Sequence, residues 1–65
     1  MCLSTVYRNQ VEPESIAMRN VMTIECRGSQ VILTDLMERQ IVLDGQLEKA
    51  NLVDGYAIVK EAVPA

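Results

Sequence analysis

The sequence predicts an all-β fold, a small antiparallel meander that forms a partly open barrel or sheet and assembles as a dimer. Three observations lead to this class. Short runs of apolar and β-branched residues recur at intervals of about 8–12 residues, side chains alternate within these runs, and turn-forming residues separate them. With 65 residues, the chain is predicted to be a single small β domain over 1–65.

The predicted strands are runs bounded by glycine, asparagine, proline or charged residues. They are Leu3–Arg8, Ser15–Met18, Val21–Cys26, Val31–Leu36, Gln40–Asp44, Gln46–Leu52 and Tyr56–Glu61. In the third run, alternation places Met22, Ile24 and Cys26 on one apolar face. A period of two is that of a pleated strand, so we interpret these runs as strands.

The connections carry recognisable turn residues. Asp54-Gly55 predicts a hairpin, because a type I′ turn needs positive φ at both central residues. Gly28 is predicted to take the left-handed position after the third run, and 35–39 to form a hairpin connection. The stretch 46–52 contains good helix formers, but seven residues make a marginal helix, and we favour a strand.

The size of the chain points to a partner. A domain of this length buries only about 60% of the surface of its unfolded chain, and such a core rarely supplies more than about 3–5 kcal/mol. Open strand edges would also promote aggregation. We therefore predict a homodimer.

Composition excludes several classes of function. The chain has no histidine, phenylalanine or tryptophan and only two tyrosines, and its net charge is −3. The lack of histidine excludes Ser-His-Asp and Cys-His catalysis and every imidazole metal site. Negative charge and few aromatic rings oppose nucleic-acid binding. Because no nucleophile has a base beside it, the protein is predicted not to be an enzyme and to have no catalytic residues.

The sequence also predicts the cellular compartment of the protein. It shows no apolar run long enough to span a membrane and no cationic leader with an apolar segment. The expected compartment is the cytoplasm, where Cys2 and Cys26 would be reduced thiols.

Cys2 is the strongest candidate for a chemical role. Removal of the initiator Met would leave its α-amine free, so amine and Sγ could close a five-membered chelate ring on a metal. An unperturbed α-amine titrates at about pH 8 and an unperturbed thiol at about pH 8.5, so a metal can displace both protons at neutral pH. The deprotonated amide of Leu3 could add a third donor. This strong-field set suits Ni(II) or Cu(II), and Ni(II) is the more stable guest because Cu(II) oxidises thiolates.

Each candidate residue also has a purely structural interpretation. Cys2 could be part of a frayed chain end, although the strand that begins at Leu3 would fix it to the sheet. Cys26 is expected to be a small buried hydrophobe. The acidic residues, including Asp35, Asp44 and Asp54, are expected on the solvated surface, the three aspartates at turns. The methionines are expected in the core or at an interface.

The pattern as a whole resembles the CooT family of small nickel-binding proteins, which are named for maturation of carbon-monoxide dehydrogenase. The resemblance covers about residues 1–61. It is carried by Met1-Cys2-Leu3-Ser4-Thr5-Val6-Tyr7, by Asn20-Val21 with Ile24, by Val31-Ile-Leu-Thr-Asp-Leu36, by Ile41-Val-Leu-Asp-Gly-Gln46 and by Ile58-Val59. Similar short proteins have also been described as RNA-binding.

The resemblance implies a compact antiparallel β fold, a homodimer, and Ni(II) bound through Cys2 of each subunit, with the Leu3 amide as a further donor. It also implies a nickel enzyme or its maturation machinery as partner. The sequence departs from the family after Asp35-Leu36. Family members often have an aromatic residue and a glycine there, whereas Met37 and Glu38 follow here.

The sequence is also compatible with two other functions. One is an RNA-binding module on a small β barrel. The other is a chaperone like the small hydrogenase-maturation proteins, which also begin Met-Cys; this chain has Ser4-Thr5-Val6 in place of their Ile-Pro-Gly stretch.

Overall fold

The computed structural model describes residues 3–62, which form one five-stranded sheet. The strands are β1 (Ser4–Arg8), β2 (Ile16–Arg27), β3 (Gln30–Asp35), β4 (Gln40–Asn51) and β5 (Tyr56–Glu61), with a short 3₁₀ turn at Pro13–Ser15. Consecutive strands pair antiparallel, and β1 and β5 pair in parallel, so the sheet closes into a ring. The all-β meander is confirmed, and its two edge strands pair with each other.

Two of the predicted boundaries lie inside strands. β2 joins the second and third predicted runs and continues through Asn20, whose φ of 55° accommodates an irregularity in the pairing. β4 joins the fifth and sixth runs and continues through Gly45. A Cβ at Gly45 would overlap the carbonyl oxygen of Lys60 and lie 2.8 Å from Cα of Glu61. Glycine therefore serves a close approach between β4 and β5, and the predicted break after Asp44 is wrong.

The core lies inside the ring and is small, as the length of the chain predicts. Its buried members come from all five strands and are mostly β-branched. They are Val6, Val21, Val31, Leu33, Leu43, Ala57 and Val59, with Ala17, Met18, Ile24 and Ile41 packed around them. β-branched side chains pack well on a pleated surface, which is why these residues favour strands here.

The predicted apolar face of β2 is wrong at Met22, because a bulge changes the alternation there, whereas Ile24 packs against the core as predicted. Val21 pairs with Asp35 and Ile24 with Leu33, so the extra residue Met22 leaves the core face and is 41% exposed. Cys26, predicted to be buried, is exposed at the end of the strand.

The β3–β4 turn is organised by a buried carboxylate. Asp35, predicted on the surface, is only 3% exposed. Its Oδ1 accepts the backbone N–H groups of Met37 and Arg39, both at 2.9 Å, and its Oδ2 accepts Arg39 Nε at 2.8 Å. Burial alone raises the pKa of the Asp35 carboxyl, but these hydrogen bonds and the guanidinium outweigh it, so the pKa lies below its ordinary value. The predicted side-chain to backbone hydrogen bonding at this turn is confirmed.

Positive φ angles occur at three further turn positions, Glu38, Gly28 and Gly55. Glu38 has a φ of 63°, the left-handed conformation that glycine adopts most easily, at the position where the sequence departs from the CooT pattern. Gly28 is left-handed as predicted, with a φ of 57°. The β4–β5 hairpin forms as predicted, and 46–51 is strand rather than helix. Its turn is not type I′, because Gly55 has positive φ (76°) and Asp54 does not.

Candidate metal-binding site at the chain start

The first described strand, β1, lies between two other strands. β1 pairs with β2 on one side and with β5 on the other, and Val6 at its centre is fully buried. A strand with both edges paired has little freedom to change its direction. The sheet therefore holds the chain from Ser4 onwards, and the prediction that Cys2 is fixed to the sheet lies outside the described residues.

Leu3 lies against the β4–β5 turn. The backbone N–H of Thr5 donates to the carbonyl oxygen of Gly55 at 3.0 Å. The carbonyl oxygen of Leu3 would lie 3.6 Å from a Cβ at Gly55. Leu3 is half-buried. Cys2, the predicted sulfur ligand, lies outside the described residues, so the structure fixes the residue that follows the predicted ligand but not the ligand itself.

Aromatic packing strengthens the closure of the ring beside this site. The rings of Tyr7 and Tyr56 meet edge to face, with centroids 6.2 Å apart and an interplanar angle of 80°. Nζ of Lys49 lies 5.7 Å from the centroid of the Tyr56 ring, in reach of a cation–π interaction. These contacts connect β1, β4 and β5. Both tyrosine rings are thus engaged in contacts within the protein.

The β4–β5 turn presents two exposed apolar side chains close to the chain start. Leu52 is 83% exposed and Val53 is 94% exposed. The turn is nevertheless ordered by its own hydrogen bonds, because Asn51 Oδ1 accepts the backbone N–H groups of Val53 and Asp54 at 3.1 and 2.9 Å. We call Leu52 and Val53 the apolar tip of the β4–β5 turn.

The described residues offer few alternative ligands for a metal. Over residues 3–62, no group of three or more Cys, Asp or Glu side chains is arranged to hold an ion. Cys26 is exposed and lies at the end of β2, next to the β2–β3 turn.

Comparison with known families gives a match that covers almost the whole chain. A family model described as CO dehydrogenase accessory protein CooT matches residues 1–60. The chain belongs to the CooT family. The match includes Met1-Cys2 and almost all of β5. No curated protein matches the chain. As a CooT protein, it has an accessory role connected with CO dehydrogenase, in line with the prediction of a non-catalytic function.

One observation concerns the prediction that no segment is long and apolar enough to span a membrane. Within residues 3–62, no helix has the length and apolar character needed to cross a bilayer.

Proposed function

We propose that this CooT protein is a nickel carrier that delivers Ni(II) during maturation of a nickel enzyme such as CO dehydrogenase. The metal is held by the α-amine and Sγ of Cys2, with the deprotonated amide of Leu3 as a third donor. The observation that supports the proposal is the pairing of β1 with both β2 and β5, which attaches the residues directly after the proposed ligands firmly to the sheet. We place this activity in the cytoplasm, where the thiol stays reduced.

The chemistry of Cys2 suits reversible loading. One residue supplies nitrogen and sulfur in a five-membered ring, and both donors lose their protons when the metal binds. Amine, amidate and thiolate form a strong-field set that favours square-planar Ni(II). Because these donors come from adjacent residues at a chain end, further coordination positions stay open to ligands from a recipient protein. A carrier needs this property, whereas a buried structural site would retain its metal.

We further propose that two chain starts meet across a homodimer, so that two thiolates share the metal. The exposed pair Leu52 and Val53 supports this arrangement, because the turn that contains them bonds to Thr5 through Gly55. Burial of these side chains against a second copy would place the two chain starts near each other and would add apolar contact to a small core.

The first test replaces the proposed sulfur ligand. Reduced, Met-processed protein mixed with Ni(II) should show thiolate-to-nickel charge-transfer absorption, and Cys2→Ser should abolish it. Cys26→Ser is the matched control, because it removes the other thiol of the chain, which is exposed at the end of β2. A band that survives in Cys2→Ser, or that disappears in Cys26→Ser, would refute the assignment.

The second test addresses the dimer. The double variant Leu52→Ser, Val53→Ser should shift the protein from dimer to monomer by at least tenfold in dissociation constant, since about 1.5–3 kcal/mol accompanies full burial of such a side chain. Sedimentation velocity over a range of concentrations measures this shift. Met37→Ser, at an exposed position in the β3–β4 turn, is the control. Equal dissociation constants for the variant and the control would exclude the turn from the interface.

A further inference from the structure

A groove opens at the first half of β2. It has a volume of about 660 Å³ and is lined by Ile16–Asn20 on one side and by Asp35 and Arg39–Ile41 on the other. We call it the β2 groove. Ala17, Met18 and Ile41 pack against the core from its floor, so the floor is apolar. The groove is not predictable from the sequence, because it forms where β2 extends beyond the end of β3.

The groove contains an open strand edge. β3 ends at Asp35, which pairs with Val21, and the last backbone bond between the two segments runs from the N–H of Leu36 to the carbonyl oxygen of Asn20. β1 occupies the other edge of β2. Within residues 3–62, the edge of Ile16–Arg19 that faces the groove therefore has no strand partner. Such an edge is a template for an added strand.

The charge available in the groove is positive, although the chain as a whole carries −3. The carboxylate of Asp35 is already engaged by three hydrogen bonds. Nε of Arg39 is bonded to Asp35, which orients a guanidinium whose side chain is 73% exposed. Arg19 is exposed on the opposite side, and among the described residues no carboxylate forms an ion pair with it. The lining of the β2 groove thus includes two arginines beside an apolar floor and an open backbone edge.

We propose that the β2 groove binds an extended acidic peptide segment of a partner protein. The segment adds to the edge of Ile16–Arg19 as a further strand, alternate apolar side chains rest on the floor, and its carboxylates pair with Arg19 and Arg39. Four to five residues of extended chain, roughly 13–17 Å, match the length of the open edge. The proposal goes beyond nickel binding, because none of its groups belongs to the chain start.

Fluorescence anisotropy with a defined probe tests this binding. The probe is a fluorescein-labelled hexapeptide of alternating valine and glutamate, titrated up to millimolar protein. We expect saturable binding that weakens at least tenfold for a matched valine-lysine peptide and for the acidic peptide methylated on alternate backbone nitrogens. Amide chemical-shift changes should be confined to Ile16–Asn20 and the residues across the groove. Failure of the acidic peptide to bind, or equal binding of the lysine peptide or the methylated peptide, would overturn the proposal.

Variants of exposed arginines separate the groove from general charge. Arg19→Gln should weaken binding roughly two- to fivefold, as expected for an exposed ion pair, and Arg19→Glu should weaken it further. Arg27→Gln, which removes an exposed arginine paired with Glu25 near the β2–β3 turn, should have no effect. Equal effects at Arg19 and Arg27 would contradict the proposal. Concentration-dependent shifts at Ile16–Arg19 without peptide would instead identify a second copy of the chain as the occupant and would also overturn it.

Discussion

Gly45→Ala should destabilise the fold by about 3 kcal/mol or more, at the upper end of the cost of forcing extra volume into a packed site. The Cβ of alanine would overlap the carbonyl oxygen of Lys60 and crowd Cα of Glu61, and both are backbone atoms that no rotamer change can move. At this point β4 passes from pairing with β3, at Asp44, to pairing with β5, at Gly45. Separation of the two strands would open the ring.

Urea unfolding followed by circular dichroism measures the loss. Since a domain of this size has a total stability of only about 3–5 kcal/mol, the variant should retain about 2 kcal/mol or less and should unfold at a much lower urea concentration than the unmodified protein. Gly28→Ala is the control, because a Cβ there meets nothing within 4 Å and only the φ of 57° is unfavourable. We expect it to cost about 1–2 kcal/mol. Equal losses of stability in Gly45→Ala and Gly28→Ala would show that β4 and β5 do not approach each other closely at Gly45.

An extra lysine between Met1 and Cys2 should lower the affinity for Ni(II) by roughly a hundredfold or more. The bulky second residue keeps the initiator Met in place and converts the amine of Cys2 into a peptide nitrogen. The thiol is retained, but the five-membered amine-thiolate ring is lost, and with it the gain from linking two donors in one chelate. The described fold does not depend on this change, because the strands begin at Ser4.

Competition with a metallochromic indicator measures this affinity. A lysine added after Ala65 serves as control, since it changes the charge by the same amount without affecting the amine. Wild-type affinity in the protein extended at its start would contradict a role for the amine, even if Cys2→Ser abolishes binding.

The sequence predicts the local features of this fold well. Alternation marks the strands, and Gly28 and Asp54-Gly55 mark turns, because these signals depend on neighbouring residues alone. The strand assignment of 46–51 also follows from the weakness of a short helix. The hydrogen bonds of Asp35 within its own turn belong to the same class of local signals.

Features that depend on distant contacts are missed. Gly45 has the composition of a turn, and its true role is visible only when Lys60 is brought against it by the β4–β5 register. The bulge at Met22 moves that side chain off the face predicted for it, whereas Cys26 keeps the face of Ile24 and is exposed at the end of the strand. The parallel pairing of β1 and β5 joins residues about fifty positions apart, and a meander pattern carries no signal for it.

The sequence and the structure also contribute different parts of the evidence on the candidate site. Chemistry alone selects Cys2, because only a cysteine next to a free amine offers this chelate in a chain without histidine. The structure adds the support, since Leu3 is held beside Gly55 and β1 is paired on both edges. The sequence does not predict the exposure of Leu52 and Val53, because the pattern places them at the end of a strand and in the turn after it.

Nickel K-edge X-ray absorption on tag-free, Met-processed, reduced protein tests the central claim most directly, because it identifies the atoms bound to the metal. We predict sulfur and nitrogen scatterers around nickel in a square-planar pattern, with the sulfur lost in Cys2→Ser and kept in Cys26→Ser. A first shell composed of oxygen and nitrogen alone in the unmodified protein would contradict it.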